Sequence, residues 1–183
     1  MAISAWEQST YYAPKDVVII GCGFVGLWTA YELIKKYPKM QITILERGII
    51  PSGASTRNAG FSCFGSVSEL MYDVQLMGEA NMLETVKMRY DGLQKIQRTF
   101  DKKTIDYNQF GGYELFEKNG PYDIQQLDKD IAYLNKVLAP ALKTPKKSGK
   151  YLPIYTNETK KIKQFGFQAI EALAFSPFEG QLN

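Results

Sequence analysis

The sequence predicts an α/β fold, and three features near its start predict it. An apolar run, Val17-Val18-Ile19-Ile20, opens directly into Gly21-Cys22-Gly23-Phe24-Val25-Gly26. A stretch of helical periodicity follows. A second apolar run, Ile42-Thr43-Ile44-Leu45, then ends on Glu46. Strand, glycine turn, helix and second strand in that order make a parallel β-α-β unit over residues 16–46, the opening of an incomplete Rossmann-like domain.

The spacing of that turn suits a dinucleotide. Gly21 lets the chain turn sharply after the strand. Gly23 lacks a Cβ, so a diphosphate can approach the backbone. Gly26 lets the helix pack closely on the sheet. The helix starts near Phe24, so the free N–H groups around Phe24 and Val25 face the phosphates. Ala30 shares the Gly26 face, and Val25, Trp28, Leu33 and Ile34 predict an apolar stripe. Glu46 accepts hydrogen bonds from a ribose diol and repels a 2′-phosphate, which favours FAD or NAD over NADP. A glycine-rich turn also arises by chance, but the ordered set of four elements argues against that here.

Composition narrows the chemistry. The 183 residues are 45% hydrophobic and 22% charged, which fits a globular chain of one domain or two small ones. The net charge of +3 gives no reason to expect nucleic acid. No apolar run approaches the ~20 residues that span a bilayer. No basic start with a long apolar stretch marks a secretory signal. Cytoplasmic location is therefore the expectation. Cys22 and Cys63 are the two cysteines, and neither has metal-site spacing. The chain has no histidine. That removes the usual general base and the Ser-His-Asp triad, so no metal site is expected and chemistry falls to a cofactor or to other residue types.

Beyond the first unit the periodicity changes several times. Residues 1–14, with Trp6, Tyr11 and Tyr12, predict a leader packed across the surface. The segment Pro51–Phe61 is small, polar and rich in donors. It reads either as a flexible loop or as a wrap for an anion. Residues 67–100 predict helix with a break near Gly78. Residues 104–117 predict strand bent at Gly111-Gly112. Residues 122–140 predict a helix with Ile124, Leu127, Ile131, Leu134 and Leu138 on one face, closed by Pro140. Lys143, Lys146, Lys147 and Lys150 crowd a solvated connection or an anion patch. Gln168–Ser176 predicts a strand.

These residues resemble the FAD-dependent amino-acid and amine oxidoreductases of the D-amino-acid oxidase, glycine oxidase and sarcosine oxidase (DAO) type. The resemblance rests on Asp16–Gly26, Ile42–Gly48, Gly53–Phe61, Gly111–Leu115 and Ala172–Gly180. It implies an FAD-binding domain whose N-terminal part is residues 1–100, with part of a mixed α+β substrate domain over 101–183. The diphosphate falls to Gly21, Gly23 and Gly26 with Phe24 and Val25, the adenosine ribose to Glu46, and the adenine end to Arg47. Gly53, Ala54, Ser55, Arg57, Asn58 and Ala59 are implied to run beside the ribityl chain and flavin. Cys63 raises the question of covalent attachment, although a buried thiol is the simpler expectation.

The implied activity is oxidation of an amino acid or a primary or secondary amine, by hydride transfer to FAD. No catalytic residue is assigned. Tyr107, Tyr113 and Tyr122 are read as packing tyrosines rather than substrate contacts. Relatives of this type are longer, so the chain is expected to be an N-terminal portion without turnover of its own. A NAD-dependent dehydrogenase and a non-catalytic fragment without flavin remain alternatives. A homo-oligomer is left open.

Overall fold

The computed structural model describes residues 2–182. The chain divides by packing into two compact units, residues 1–59 and 60–183.

The first unit holds the expected crossover. Strand β1 (Val17–Ile20) leads into helix α2 (Phe24–Lys36) and then strand β2 (Ile42–Leu45). The strands are parallel, with Val17 opposite Ile42 and Ile20 opposite Leu45. Helix α2 lays Gly26, Ala30 and Leu33 toward the sheet, at steps of four and three residues. A Cβ on Gly26 would stand 2.1 Å from the Gly21 carbonyl oxygen and 3.2 Å from Ile19 Cγ2. The missing side chain therefore sets how closely α2 approaches.

The predicted stripe on α2 is only partly correct. Trp28 and Leu33 are half-buried, but Val25 is 84% and Ile34 50% exposed. The Gly26–Ala30 contact fixes which side of the helix meets the sheet, and those two residues lie off it. Only one face of the strand pair is covered, so Val18, Ile20 and Leu45 are exposed.

The N-terminal segment also departs from expectation. It forms a short helix, α1 (Ala5–Thr10), nucleated by a reciprocal Ser4–Glu7 capping box. Trp6, Tyr11 and Tyr12 project into solvent instead of packing across a surface.

The second unit is an antiparallel sheet backed by helices. Strand β3 (Phe61–Ser62) precedes α3 (Val67–Met77) and α4 (Glu79–Thr99). Gly78 separates the two helices with a positive φ of 83°, the predicted break. Strand β4 (Gly112–Glu117), helix α5 (Leu127–Ala141), the short pair β5 (Lys146–Lys147) and β6 (Lys150–Tyr151), β7 (Thr156–Asn157), α6 (Ile162–Phe165), β8 (Ile170–Ser176) and β9 (Gly180–Gln181) follow. The main sheet has the order β4-β8-β7. In it Gly112 faces Ser176 and Leu115 faces Leu173, with an irregularity between Phe116 and Glu117.

The core of this unit lies under the helices. Phe64, Val67, Leu70, Met82, Val86, Leu127, Leu134, Leu138 and Ile154 are buried in one cluster. Leu127, Ile131, Leu134 and Leu138 occupy the predicted face of α5. Pro140 sits inside the last turn of α5 instead of ending it. So close to the terminus a missing N–H costs a single helical bond. The lysine-rich segment is ordered as a hairpin. Ser148 and Gly149 take positive φ values of 51° and 79°, the backbone of a two-residue turn, and Lys146 lies over the Tyr151 ring at 4.4 Å.

Candidate functional site

Strand register places the first part of the site. Ile20 stands opposite Leu45, so the residues just beyond both strand ends are neighbours. Gly21 turns there with φ +94°, and its N–H donates to the Leu45 carbonyl at 2.7 Å. The Glu46 carboxylate consequently lies against the glycine turn. It accepts from the Cys22 N–H at 3.0 Å and from the Gly48 N–H at 3.2 Å. These bonds, with Cys22 foremost, hold the Glu46 carboxyl down at about 2. The group is a carboxylate at any physiological pH.

The loop after β2 supplies the second part. Ser55 lies in a 3-10 turn, Ala54–Thr56, and its Oγ accepts from the Phe24 N–H at 2.9 Å. The loop hydroxyl thus caps α2 across a long stretch of sequence. Thr56 Oγ1 donates to the Pro51 and Gly53 carbonyls, and Asn58 Nδ2 donates to those of Ala54 and Ser55. The segment braces itself, so the floppy-loop reading does not describe it.

The structure therefore gathers Gly21, Gly23, Phe24, Glu46 and Ser55 around one turn. Arg47, Gly53, Ala54, Arg57, Asn58 and Ala59 lie on the exposed side of the same loops. Val25 is exposed at the start of α2. Two backbone groups that sequence reasoning did not single out, the N–H of Cys22 and of Gly48, fix the Glu46 carboxylate.

The turn has room for a diphosphate. A Cβ built on Gly23 would meet only Ser55, with Oγ at 3.1 Å, and one built on Gly21 or Gly53 would meet nothing within 4 Å. Among the described residues, no acceptor takes the N–H groups of Gly23 and Val25. Glu46 spends two of roughly four lone-pair sites, which leaves capacity for a ribose diol. Open backbone, free donors and an ionised acceptor together fit the adenine dinucleotide portion of FAD.

A sequence profile of the family described as FAD dependent oxidoreductase, DAO, matches residues 16–161. The chain belongs to this FAD-dependent oxidoreductase family. Shorter stretches of this DAO-family chain are similar to thiamine thiazole synthases. That of Yarrowia lipolytica is 46% identical over 50 residues, 27% of this chain and 16% of the relative. That of Aspergillus oryzae is 44% identical over 50 residues, 27% and 15% respectively. That of Eremothecium gossypii is 40% identical over 55 residues, 30% and 17%. The chain thus spans only a small part of the length of the curated relatives it matches.

The three tyrosines sit in different surroundings. Tyr107 is buried, and its hydroxyl accepts from Gln97 Nε2 at 2.9 Å. Tyr122 stacks on Phe116 and donates to Asp130 Oδ2 at 2.5 Å. Tyr113 packs edge-on against Phe165 and lies 4.6 Å from the Phe175 ring. Cys63, just past the end of β3, is exposed, against the expectation of burial, while its neighbours Ser62 and Phe64 are buried. Among the described residues no group of His, Cys, Asp or Glu gathers as metal ligands, and no helix is long and apolar enough to cross a membrane.

Proposed function

We propose that this chain supplies the adenine-dinucleotide cradle of an enzyme that oxidises an amino acid or a primary or secondary amine. The observation that carries the cofactor assignment is the ionised Glu46 beside the open glycine turn. The amine assignment rests on the resemblance of Asp16–Gly26, Gly53–Phe61 and Ala172–Gly180 to oxidoreductases of the amino-acid and amine oxidase type.

In this reading the N–H groups of Gly23 and Val25, at the positive end of α2, hold the diphosphate with Gly21, Phe24 and Gly26. Glu46 binds the ribose diol and Arg47 flanks the adenine. Gly53, Ala54, Ser55, Arg57, Asn58 and Ala59 line the path toward the flavin, with Arg57 supplying positive charge. FAD held by these residues would supply a hydride acceptor for the carbon next to the substrate nitrogen. The protein positions the amine and excludes water. Residues 1–100 then contribute to cofactor binding and 101–183 to substrate binding. The matches to thiamine thiazole synthases cover less than a third of the chain, so they carry no assignment of the reaction.

The test uses the protein expressed from its complete reading frame and loaded with FAD. Anaerobic addition of glycine, sarcosine or a D-amino acid is expected to bleach the oxidised-flavin absorbance for at least one of them. A flavin-loaded protein that none of a broad amine panel bleaches would overturn the amine reading while leaving the cradle intact.

A further inference from the structure

The second unit contains a small cavity of its own, about 40 Å³, lined by Tyr113, Glu114, Tyr155, Phe175, Ser176 and Glu179. As ~10–15 Å³ suffices for one water, it has space for a small polar head group. Two backbone features create it. Gly112 leaves room for the Glu179 carboxyl, since a Cβ there would fall 1.9 Å from Glu179 Oε2. Asn135 pins the far side, accepting from the N–H groups of Ile154 and Tyr155 at 2.7 and 2.9 Å and donating to the Tyr155 carbonyl at 2.8 Å. The Tyr155 hydroxyl is committed to the Gly65 carbonyl.

Ser176 carries the decisive observation. Its side chain is 1% exposed, and its Oγ has no hydrogen-bond partner among the described residues. A buried hydroxyl left unsatisfied is costly, so a ligand that bonds to it is favoured. The charge around it states what kind of ligand. Glu114 and Glu179 both line the cavity, and no lysine or arginine does. Arg89, near this region, is engaged by Glu69 at 2.8 Å. The lining also includes the aromatic rings of Tyr113 and Phe175; Phe175 already takes one cation, Lys161 Nζ at 5.8 Å from its centroid, so Tyr113 is the ring left to favour another.

We propose that this cavity binds the ammonium group of a primary amine, with Ser176 Oγ and the Glu179 carboxylate as acceptors. An ammonium has three donors and no acceptor, which matches the Glu179 carboxylate and an unpartnered hydroxyl. Glu114 is occupied as the cap of α3, and it opposes ionisation of Glu179. Burial, and then the carboxylates of Glu114 and Glu69, raise Glu179 to about 7 against the help of a bond from the Phe64 N–H. The thiol of Cys63 and the hydroxyl of Tyr155 are the other titratable groups affected by Glu179. Below pH 7 an entering ammonium therefore displaces one proton from Glu179 to solvent, and above it finds the carboxylate ready. If the amine-oxidation reading holds, the ammonium bound here is a second, non-reacting amine of the substrate, because the nitrogen next to the oxidised carbon must be unprotonated for a hydride to leave. The binding itself does not depend on flavin.

The test titrates the whole chain, with glutamate labelled in the side-chain carboxyl carbon, with methylammonium chloride and follows carboxyl chemical shifts. Tetramethylammonium chloride at equal ionic strength is the control, since it has no N–H donors. We expect one saturable carboxyl shift with methylammonium only, tighter at pH 8 than at pH 6, and absent in Glu179→Gln. Ser176→Ala removes a hydroxyl that holds nothing in the fold, so it keeps the fold and is expected to weaken binding about tenfold, the value of one bond to a charged group. Equal responses to both salts, or unaltered affinity in Ser176→Ala, would overturn the proposal, leaving the cavity to water. Neither result depends on turnover, so a failed amine-oxidation test and a failed binding test remain distinguishable.

Discussion

The Ser55 hydroxyl oxygen accepts a hydrogen bond from the Phe24 N–H at 2.9 Å, tying the loop after the second strand to the first turn of the crossover helix. The donor lies within the turn that faces the dinucleotide phosphates in the proposed site. Ser55 therefore serves as a helix cap whenever that donor is not taken by a ligand. Ser55→Ala is expected to lower stability by about 1 kcal/mol without FAD. Saturating FAD is expected to shrink the deficit. Thermal melts with and without FAD measure both values, and equal deficits would separate the cap from the cofactor.

Gly23 and Gly26 are expected to fail in different ways. Gly26→Ala drives a Cβ to within 2.1 Å of the Gly21 carbonyl oxygen and forces α2 off the sheet. A loss of roughly 1–3 kcal/mol is expected, typical of overpacking. A Cβ at position 23 meets only Ser55, with Oγ at 3.1 Å, so Gly23→Val is expected to disturb the Ser55 cap at a cost of about 1 kcal/mol, to leave the chain folded and to lower FAD affinity. Urea unfolding and FAD fluorescence quenching separate the two effects.

The Glu46 carboxyl, held at about 2 by the Cys22 and Gly48 N–H groups, predicts an acid-side effect. Its pKa is depressed from an ordinary 4.5. The contribution is therefore complete above about pH 5 and lost as pH falls through 2. The stability difference between the wild type and Glu46→Gln should be flat near neutrality and shrink toward pH 2. Urea midpoints across that range test the sign.

Glu179 predicts the opposite slope. Its carboxyl is raised to about 7 from 4.5, chiefly by burial, so the folded chain holds a proton that the unfolded chain releases. Its contribution is present below pH 4.5 and is lost as pH rises through 7. Glu179→Gln should match the wild type near pH 4.5 and be more stable at pH 8, by on the order of 2 kcal/mol after partial solvent screening. Denaturation at the two pH values decides it.

Glu114 caps α3 from a distant strand. It accepts from the Val67 N–H at 2.8 Å, from the hydroxyl of Ser66 at 2.9 Å and from that of Ser68 at 2.5 Å. Glu114→Gln replaces one acceptor oxygen by a donor and leaves helix N–H groups unmet. A cost of about 1–3 kcal/mol is expected, or roughly 3–10 °C in Tm.

These contrasts mark what a sequence can disclose. The β1-α2-β2 unit was legible because its signals are local: two apolar runs, a glycine turn and an acidic residue at a strand end. The break at Gly78 and the apolar face of α5 were legible for the same reason. The Ser55 cap and the Glu114 cap were not, since each joins residues far apart in the chain. Val25 and Ile34 misled because hydrophobicity marks candidates for burial, whereas the Gly26–Ala30 contact chooses the buried side. Ser176 looks like an ordinary strand residue until its hydroxyl is found without a partner beside Glu179.

The Lys146–Tyr151 ribbon has a practical use. Its tip, Ser148-Gly149, is exposed and self-contained, and its two strands carry no core residue. A peptide label or fluorophore-bearing insert spliced between those two positions should leave the remaining packing untouched, because each doubling of loop length costs only about 0.6 kcal/mol. That gives a reporter attachment point that takes no part in the carboxylate-lined cavity.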